Sequence, residues 1–316
     1  MTGEQKIPVL AVVGPTASGK TGLAVELSKA RNGEVVSADS MQVYREMRIG
    51  TARPDETEMQ GIPHHLLGFL PMEETFSVAQ YAVLAHACIR DIHARGKLPV
   101  LAGGTGLYIS TVLQNIQFDE QEGDPSYREA LKARVVREGI EPVFSELSAV
   151  DPESAGRIDK NNHKRVIRAL EIYKTTGITM TEQLRRSKSV PSPYHPVIIG
   201  LSFRDRQKLY ERINRRVDLM VERGLLEEAK QVLSSPFGQT AMGAIGYKEL
   251  CPWVRGECDL SEALEKLKQS TRRYAKRQLT WFRRMEGVHW IYADDYADSR
   301  QIVERALQIL ESELCL

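Results

Sequence analysis

The chain has 316 residues, with 43 Lys or Arg against 42 Asp or Glu, so its formal net charge at pH 7 is +1. This length suffices for a complete α/β core and an additional helical region. No apolar run in the sequence approaches the roughly 18 residues of a membrane span, and residues 1–6 lack the form of a signal peptide. The balanced charge does not exclude a nucleic-acid partner, because a basic face can be offset by acidic residues elsewhere.

The four cysteines do not indicate a disulfide framework or a zinc site. They have neither CxxC spacing nor a histidine partner at zinc-ligand spacing, and they are Cys88, Cys251, Cys258 and Cys315. We therefore expect reduced thiols in a cytoplasmic protein. Nothing in the sequence is typical of a dedicated oligomer interface, so we expect a monomer.

A phosphate-binding loop is the first motif along the chain. It follows an apolar, β-branched segment, residues 7–13, that is typical of a buried parallel strand, and it precedes apolar residues at helical spacing. The loop matches G-x-x-x-x-G-K-[ST] at every constrained position and consists of Gly14, Pro15, Thr16, Ala17, Ser18, Gly19, Lys20 and Thr21. Its glycines let backbone N–H groups converge on an anion, Lys20 adds positive charge, and the Thr21 hydroxyl can hold Mg²⁺. The motif predicts a di- or triphosphate site without saying which one.

Polar residues follow the second predicted strand, residues 34–38, in the segment Asp39-Ser40-Met41-Gln42. In a doubly wound sheet the carboxyl ends of the strands line the ligand crevice, so Asp39 should stand close to the phosphate loop. Its carboxylate could handle a proton on an acceptor substrate. It could also cap a turn or helix, or lie on the Mg²⁺ side of the site.

A second Gly-rich turn follows the third predicted strand, residues 98–102, and should lie at the same edge of the sheet. Thr105 is the side chain in this turn that could reach a substrate, although the turn could also be a simple strand–helix connection. Between the two strands, His64 and His65 are adjacent and cannot both face one side of a strand. We interpret them as loop residues rather than metal ligands, and we predict a crossover helix over residues 76–95.

The character of the sequence changes at about residue 114, where charged helical segments replace apolar strands. Helices are predicted over residues 125–137, 141–147 and 162–175. Sheet-like sequence resumes at residues 197–201. We therefore predict a helical insertion over residues 114–196, between two parts of the core at residues 1–113 and 197–316. The last predicted helix of the insertion is basic at its entrance.

A long amphipathic helix is predicted over residues 206–223, closed by Gly224 in the C-cap position. It carries Arg212, Arg215 and Arg216. These arginines could bind an anionic ligand or form a solvated basic face.

Residues 272–284 contain six cations and no acidic residue, interleaved with three aromatic side chains. Wound as a helix, this segment places Arg273, Arg277 and Arg284 near one stripe. Such a stripe suits phosphate contacts along a nucleic-acid backbone, although a charged outer helix face is the alternative. Residues 289–292 and a terminal helix over residues 299–314 are predicted to close the scaffold.

Together these stretches resemble one family, the tRNA dimethylallyltransferases (tRNA isopentenyltransferases) of bacterial type. The resemblance covers nearly the whole chain. Its motifs are GPTASGKT (14–21), ADSMQVY (38–44), IGTARP (49–54), PHH (63–65), AGGTGLY (102–108), KRVIRALEIYKTTG (164–177), ERINRRVDLM (211–220), GAIGYKE (243–249) and KRQLTWFRR (276–284). The phosphate loop alone is generic, whereas the ordered set is specific.

The resemblance implies an α/β fold with a P-loop-type parallel sheet core, flanking helices and an inserted helical domain that grips the tRNA anticodon stem-loop. The implied reaction moves a dimethylallyl group from dimethylallyl diphosphate to the exocyclic amine of the adenosine 3′ of the anticodon. In this family the modified tRNAs read codons that begin with U, and Mg²⁺ is the implied cofactor. The target base would be flipped into a channel that the donor enters from the other end.

Roles for individual residues follow from the same resemblance. Asp39 would be the general base, Thr105 would position the amine or the phosphate, and Arg216 would stabilise the departing diphosphate. Residues 14–21 would bind the diphosphate, with Thr21 holding the metal. The residues implied to contact tRNA are Asp39, Ser40, Met41, Gln42, Lys164, Arg165, Val166, Ile167, Arg168, Gly243, Ala244, Ile245, Gly246, Tyr247, Lys248, Lys276, Arg277, Gln278, Leu279, Thr280, Trp281, Phe282 and Arg283.

Two other classes of function stay open from the sequence. A P-loop kinase for a small molecule, or a prenyltransferase that acts on a free adenine nucleotide, would use the phosphate loop but leave the insertion and the basic segment unexplained. A non-catalytic RNA-binding P-loop protein would explain residues 272–284 without any chemistry.

Overall fold

The computed structural model describes residues 6–118, 124–236 and 241–314. These residues form two compact units, the first from residues 1–113 and 193–316 and the second from residues 114–192. In chain order the first unit begins with β1 (Ile7–Val13), α1 (Lys20–Ala30), β2 (Gly33–Ser37), α2 (Glu56–Met59), β3 (His64–His65), α3 (Val78–Ala94), β4 (Leu98–Gly103) and α4 (Gly106–Leu113).

The second unit contains only helices among its described residues. They are α5 (Pro125–Glu138), α6 (Glu141–Val150), α7 (Pro152–Arg157), α8 (His163–Thr176) and α9 (Met180–Ser187). The first unit then resumes with β5 (Tyr194–Ser202), α10 (Arg206–Glu222), α11 (Leu225–Ser234), α12 (Tyr247–Val254), α13 (Leu260–Phe282), β6 (Val288–Tyr292) and α14 (Ser299–Leu314).

The described strands form one parallel sheet in the order β3-β2-β4-β1-β5-β6. Alternate residues of β1 face opposite sides of this sheet, as the period of a strand requires. Val9, Ala11 and Val13 pack into the larger apolar cluster with α3 and α4, whereas Leu10 and Val12 pack against α1 and α14. Both faces of the central strand are therefore buried, which confirms the predicted parallel α/β core.

The register aligns the carboxyl ends of three strands. Val13 of β1 pairs with Gly103 of β4, and Ser37 of β2 pairs with Ala102 of β4. The phosphate loop, the segment after β2 and the Gly-rich turn after β4 therefore leave the sheet side by side. This edge is where ligands bind in doubly wound sheets.

Several boundaries differ from the sequence predictions. Strand β2 ends at Ser37 rather than at residue 38, and β5 begins at Tyr194, three residues before the predicted start. Gly224, with φ 100°, lies one residue beyond the C-cap of α10 and is the N-cap of α11. Helix α13 ends at Phe282, so Arg284 is not part of a helical stripe as predicted.

The adjacent histidines are not loop residues, which corrects the sequence interpretation. They form the short edge strand β3, which pairs with Val35 and Val36 of β2. His64 is tied through Nδ1 to the carbonyl of Ile62 at 2.8 Å, and His65 Nε2 lies 2.8 Å from Glu34 Oε2. A strand of two residues is too short to show the alternation of apolar and polar residues by which a strand is recognised from sequence.

The helical unit has its own apolar core and a buried ion-pair network. Leu131, Val143, Leu147 and Val166 pack together in that core. The carboxylate of Glu171 is fully buried and accepts hydrogen bonds from Arg128 and Arg168. Helices α7 and α9 were not predicted, because both are shorter than ten residues.

No helix within residues 6–118, 124–236 and 241–314 combines the length and apolar character needed to cross a membrane. Among the cysteines, Cys88, Cys251 and Cys258 are free thiols. Cys315 lies outside the described residues.

A buried carboxylate at the start of β2 should make folding stability depend on pH. Glu34 is 2% exposed and forms ion pairs with Arg95, Lys97 and His65. Hydrogen bonding from Arg95 in particular lowers the pKa of Glu34 far below its ordinary value. Because the folded-state pKa is depressed, the stabilisation is present above about pH 5 and is lost as the pH falls through the acidic range.

We therefore expect Glu34→Gln to reduce the free energy of unfolding by about 1–3 kcal/mol at pH 7, the size of lost charge-assisted hydrogen bonds. The difference from wild type should shrink as denaturation is repeated at pH 5, 4 and 3. Glu26→Gln is the matched control, since the pair that Glu26 forms with Lys29 is exposed to solvent. A deficit that stays constant between pH 7 and pH 3 would contradict this account.

Candidate active site

The phosphate loop adopts the left-handed turns that its sequence pattern requires. Gly19 has φ 97° and caps α1, and Ala17 has φ 63°, which is unusual for a residue with a side chain. Gly14 is required for close approach, because a Cβ there would lie 2.3 Å from the carbonyl oxygen of Leu201. The loop thus turns tightly from β1 into the N-terminus of α1, where backbone N–H groups attract anions.

Helices α10 and α13, which come late in the chain, form hydrogen bonds with the backbone of this loop. The backbone N–H of Thr16 donates to Gln278 Oε1 of α13 at 2.8 Å. The carbonyl of Ala17 accepts a bond from Arg212 Nε of α10 at 2.9 Å. Arg212 also stacks over Phe203, with its guanidinium carbon 5.4 Å from the ring centre. Neither contact was predicted from the sequence.

Two cations and one carboxylate share the inside of the site. Lys20 is partly buried, and its Nζ lies 3.3 Å from the carbonyl of Pro15. Burial and the nearby Arg216 lower the pKa of Lys20 to about 8, although Asp39 acts in the opposite direction. Burial also lowers the pKa of Arg216, again opposed by Asp39. The site therefore holds more positive charge than Asp39 alone neutralises, which favours a multiply charged anion.

The segment after β2 and the turn after β4 are joined to each other. Asp39 Oδ1 accepts a bond from Met41 N at 3.0 Å, which closes a turn around the carboxylate. Thr105 Oγ1 accepts from Ser40 N at 3.0 Å and donates to Ser40 Oγ at 3.3 Å. The Thr105 hydroxyl also lies near that of Tyr274. Thr105 is therefore bonded to neighbouring protein groups, whereas Ser40 and Tyr274 line the cavity.

These groups surround a cavity of about 300 Å³. Its charged and polar lining residues include Thr16, Lys20, Thr21, Asp39, Ser40 and Arg216. Its apolar lining, called the apolar wall below, includes Ile213, Val217, Met220, Leu225, Ile245 and Leu267. A cavity lined by both charged and apolar side chains suits a small ligand that has both an anionic and a hydrocarbon part.

The apolar wall and Tyr274 were missed by sequence reasoning. On α10 the cavity residues Ile213, Arg216, Val217 and Met220 fall at positions i, i+3, i+4 and i+7, a spacing that could have identified them. Tyr274 gave no such signal, because its position depends on the packing of α13. Burial, with a smaller effect of Asp39, raises the pKa of Tyr274, so its hydroxyl stays protonated and can donate a hydrogen bond.

A second loop, residues 48–52, is fixed by a single carboxylate. Glu228 of α11 accepts hydrogen bonds from the backbone N–H groups of Arg48, Ile49 and Gly50 at 2.8–3.0 Å. It also accepts a 2.7 Å bond from the hydroxyl of Tyr247. The fixed loop in turn holds Gln42, whose Nε2 donates to the carbonyls of residues 51 and 52, so Gln42 lines the cavity.

The residues predicted to contact tRNA divide into exposed and buried groups. Exposed side chains are those of Lys164, Arg165, Arg168, Lys248, Lys276, Arg277, Thr280, Trp281 and Arg283. Those that line the cavity are Asp39, Ser40, Met41, Gln42, Gly243, Ile245, Gly246, Lys248, Arg277 and Gln278. Leu279 is partly buried and packs against Ala17 and Ile213.

Other residues of that set have side chains that are buried in the core. Val166, Ile167, Ala244, Tyr247 and Phe282 are each at most 4% exposed. They lie on the inner faces of their elements, and Tyr247 is tied to Glu228. A motif includes inward-facing and outward-facing side chains alike, so it does not separate packing from RNA contact.

A phosphate loop, two cations and a carboxylate around one cavity at the edge of a parallel sheet define a P-loop-type protein whose cavity suits a phosphorylated ligand. Comparison with known proteins narrows this class. A family model described as IPP transferase matches residues 42–285. A tRNA dimethylallyltransferase of Bacillus cytotoxicus is 48% identical over 317 residues, covering 100% of this chain and 98% of that protein. Another, of Caldanaerobacter subterraneus subsp. tengcongensis, is 45% identical and covers 98% and 99%.

Solved structures agree with this assignment. The full-length tRNA isopentenylpyrophosphate transferase of Bacillus halodurans has a TM-score of 0.71 at 45% identity, over 98% of each chain. A eukaryotic dimethylallyltransferase acting on tRNA has a TM-score of 0.80 at 29% identity, over 96% of this chain and 80% of that one. The chain therefore belongs to the IPP transferase family, and the P-loop-type α/β fold is confirmed.

The lowered pKa of Lys20 should make anion binding depend on pH. As the pH rises through about 8, Lys20 loses its proton and the site loses one of its two inner cations. We expect the affinity of the free protein for inorganic diphosphate with Mg²⁺ to fall between pH 7 and pH 9.5, measured by titration calorimetry. Lys20→Met should bind more weakly at pH 7, about tenfold or more, and should lose this component of the pH dependence. Identical pH profiles for both proteins would contradict the assignment to Lys20.

Proposed function

We propose that this protein transfers a dimethylallyl group from dimethylallyl diphosphate to the exocyclic amine of an adenosine in tRNA. The acceptor would be the adenosine 3′ of the anticodon, in tRNAs that read codons beginning with U. The observation that carries the proposal is a single cavity lined by Lys20, Arg216 and Asp39 together with the apolar wall. The names of the similar proteins support the reaction, and we further propose a cytoplasmic monomer.

The leaving group explains the need for two cations. When the bond from carbon to the bridging oxygen breaks, its electron pair stays on the diphosphate, so negative charge grows there. Lys20 and Arg216 line the cavity together with the phosphate loop, so they would stabilise this charge with little reorganisation. The apolar wall keeps water from the dimethylallyl carbon and strengthens these interactions by lowering the local dielectric.

The acceptor amine must be oriented and deprotonated, because it is a weak nucleophile whose lone pair is delocalised into the adenine ring. Asp39 is the carboxylate that faces the cavity beside the phosphate loop. As a hydrogen-bond acceptor it would orient the amine, and as general base it would take the proton released when the new carbon–nitrogen bond forms. Thr105 would act through Ser40 by holding the Asp39 turn in place.

The residues present fit a magnesium ion that is shared with the diphosphate. The hydroxyl of Thr21 and the carboxylate of Asp39 line the same cavity, and both offer the hard oxygen ligands that Mg²⁺ prefers. Within the described part of the chain, no group of three or more His, Cys, Asp or Glu is placed to hold a metal. Mg²⁺ would therefore bind mainly through diphosphate oxygens and Thr21, where it supplies positive charge to the leaving group.

The tRNA would be held by the exposed basic side chains of α13 and of the segment after it, among them Lys276, Arg277 and Arg283. Arg277 and Tyr274 of this helix also line the cavity, so the phosphate contacts would lie next to the base pocket. Lys164, Arg165 and Arg168 offer further phosphate contacts in the helical unit. An unpaired anticodon-loop base costs little to flip into such a pocket.

The test is incubation with unmodified tRNA, Mg²⁺ and dimethylallyl diphosphate, followed by nucleoside mass analysis. We expect the mass increment of one dimethylallyl group on one anticodon-loop adenosine. An increment on free AMP without tRNA would point to nucleotide prenylation, and phosphoryl transfer from labelled ATP would point to a kinase. Tight tRNA binding without any product would leave an RNA-binding protein, and each of these three outcomes would overturn the proposal.

Asp39→Asn tests the general base with little change in shape. The amide oxygen of Asn can still accept the bond from Met41 N, so the turn should persist. We expect kcat to fall by about 10²–10⁴-fold, because proton removal is lost. The dissociation constant for tRNA should change by no more than about fivefold, or ~1 kcal/mol, because the amide oxygen of Asn can still accept a hydrogen bond from the adenine amine. Ser148→Ala in the helical unit is a control of similar size outside the cavity, and equal losses of kcat and tRNA affinity in Asp39→Asn would rule Asp39 out as base.

A further inference from the structure

We infer that Gln278 is a positioning residue for the phosphate loop and not an RNA contact, although it lies within a motif implied to bind tRNA. The inference rests on the proposed function. Gln278 is 5% exposed and lies on the inner face of α13, between the loop and the turn after β4. Its amide bonds both: Oε1 accepts from Thr16 N at 2.8 Å, and Nε2 donates to the carbonyl of Gly104 at 2.9 Å.

Only an amide of this length satisfies both partners. The backbone N–H of Thr16 can only donate and the carbonyl of Gly104 can only accept, so the two bonds fix which end of the amide faces which loop. A carboxylate at position 278 could accept from Thr16 but would face the carbonyl of Gly104 without a proton to donate. An asparagine would be one methylene shorter and could not span the same gap from the same backbone position.

The turn after β4 leaves room for this amide. A Cβ at Gly104 would lie 2.1 Å from Gln278 Nε2, well inside contact distance. Because Gly104 has no side chain, the Gln278 amide fits between the phosphate loop and the turn after β4. Gly104 and Gln278 act as a pair, since either one without the other would leave a clash or an unpaired polar group.

The bond to Thr16 also changes how the phosphate loop functions. Because its N–H is already committed to Gln278, Thr16 is not a backbone donor to the diphosphate. The bond instead holds the loop open for the anion, together with Arg212, which binds the carbonyl of Ala17. Ala17 has a left-handed φ of 63°, a conformation that costs energy in an isolated peptide. Two supports on consecutive residues thus pre-organise the loop, which reduces the cost of ordering it on binding.

Helix α13 presents a different surface to solvent. Lys276 and Arg277 directly precede Gln278 in sequence, and both side chains are exposed. The outer face would bind tRNA phosphates, while the inner face holds the loop that binds the donor diphosphate. Gln278 is therefore the residue through which the RNA-binding helix fixes the geometry of the donor site.

The experiment measures the two affinities separately. Gln278→Ala removes both bonds, and Gln278→Met keeps the length and volume of the side chain so that the helix stays packed. By titration calorimetry with inorganic diphosphate and Mg²⁺, we expect about a tenfold loss of affinity in each variant, as expected for lost buried hydrogen bonds. By filter binding, the affinity for unmodified tRNA should stay within about twofold of wild type. In turnover assays the KM for dimethylallyl diphosphate should rise and the KM for tRNA should not.

Two controls frame these measurements. Lys276→Ala, on the outer face of the same helix, should weaken tRNA binding and leave diphosphate binding unchanged. Gln207→Ala removes an exposed glutamine of α10 and should change neither affinity. A Gln278→Met protein that loses tRNA affinity but keeps diphosphate affinity would overturn the inference, and so would unchanged or equally reduced affinities. Because diphosphate binding needs neither tRNA nor turnover, this result does not depend on whether the proposed transfer occurs.

Discussion

The alignment of three strand ends at one edge of the parallel sheet is the constraint on which the whole site depends. Strands β1, β2 and β4 end next to one another, and backbone bonds extend their pairing into the loops. Ala38 N donates to the carbonyl of Ala102 at 2.8 Å, and Thr105 N donates to the carbonyl of Ala38 at 3.1 Å. The phosphate loop, Asp39 and the turn at Thr105 are thereby brought together, although they are separated by up to about ninety residues in the chain.

Electrostatics then decides what this edge can hold. Lys20 and Arg216 are brought together inside the protein with Asp39 as their nearby counter-charge, and the lowered pKa of Lys20 records the cost of that arrangement. Under the proposed function, a bound diphosphate would reduce the repulsion between these two cations. The same cations would then stabilise the additional negative charge that develops on the leaving group.

Local patterns made much of the fold predictable. The apolar segments that became β1 and β4, the helix at residues 299–314 and the phosphate loop each depend on neighbours within a few residues. The contacts that complete the site are not local: Gln278 reaches Thr16 across 262 positions and Arg212 reaches Ala17 across 195. No periodicity reports such bonds, because they depend on how α10 and α13 pack against the sheet.

The burial of individual side chains in a motif also depends on helix packing and could not be predicted from the sequence. Gln278, Phe282 and Lys276 lie within seven positions of one another in one motif, yet the first two face inward and the third faces solvent. A helix turns by about 100° per residue, so neighbours in sequence point in different directions. The motif identifies the helix, whereas only the packing shows which of its side chains are buried and which are exposed.

Helix α13 links the phosphate loop to the turn at Thr105 through two of its side chains. Tyr274 and Gln278 are one turn apart on α13, and they contact the acceptor side at Thr105 and the donor side at Thr16 respectively. A rigid helix cannot shift at one of these positions without moving the other. Under the proposed function, the base and the diphosphate would therefore be held at a fixed separation by a single element. A transfer between two bound substrates requires that kind of fixed distance, because a small misplacement of the reacting atoms costs a large factor in rate.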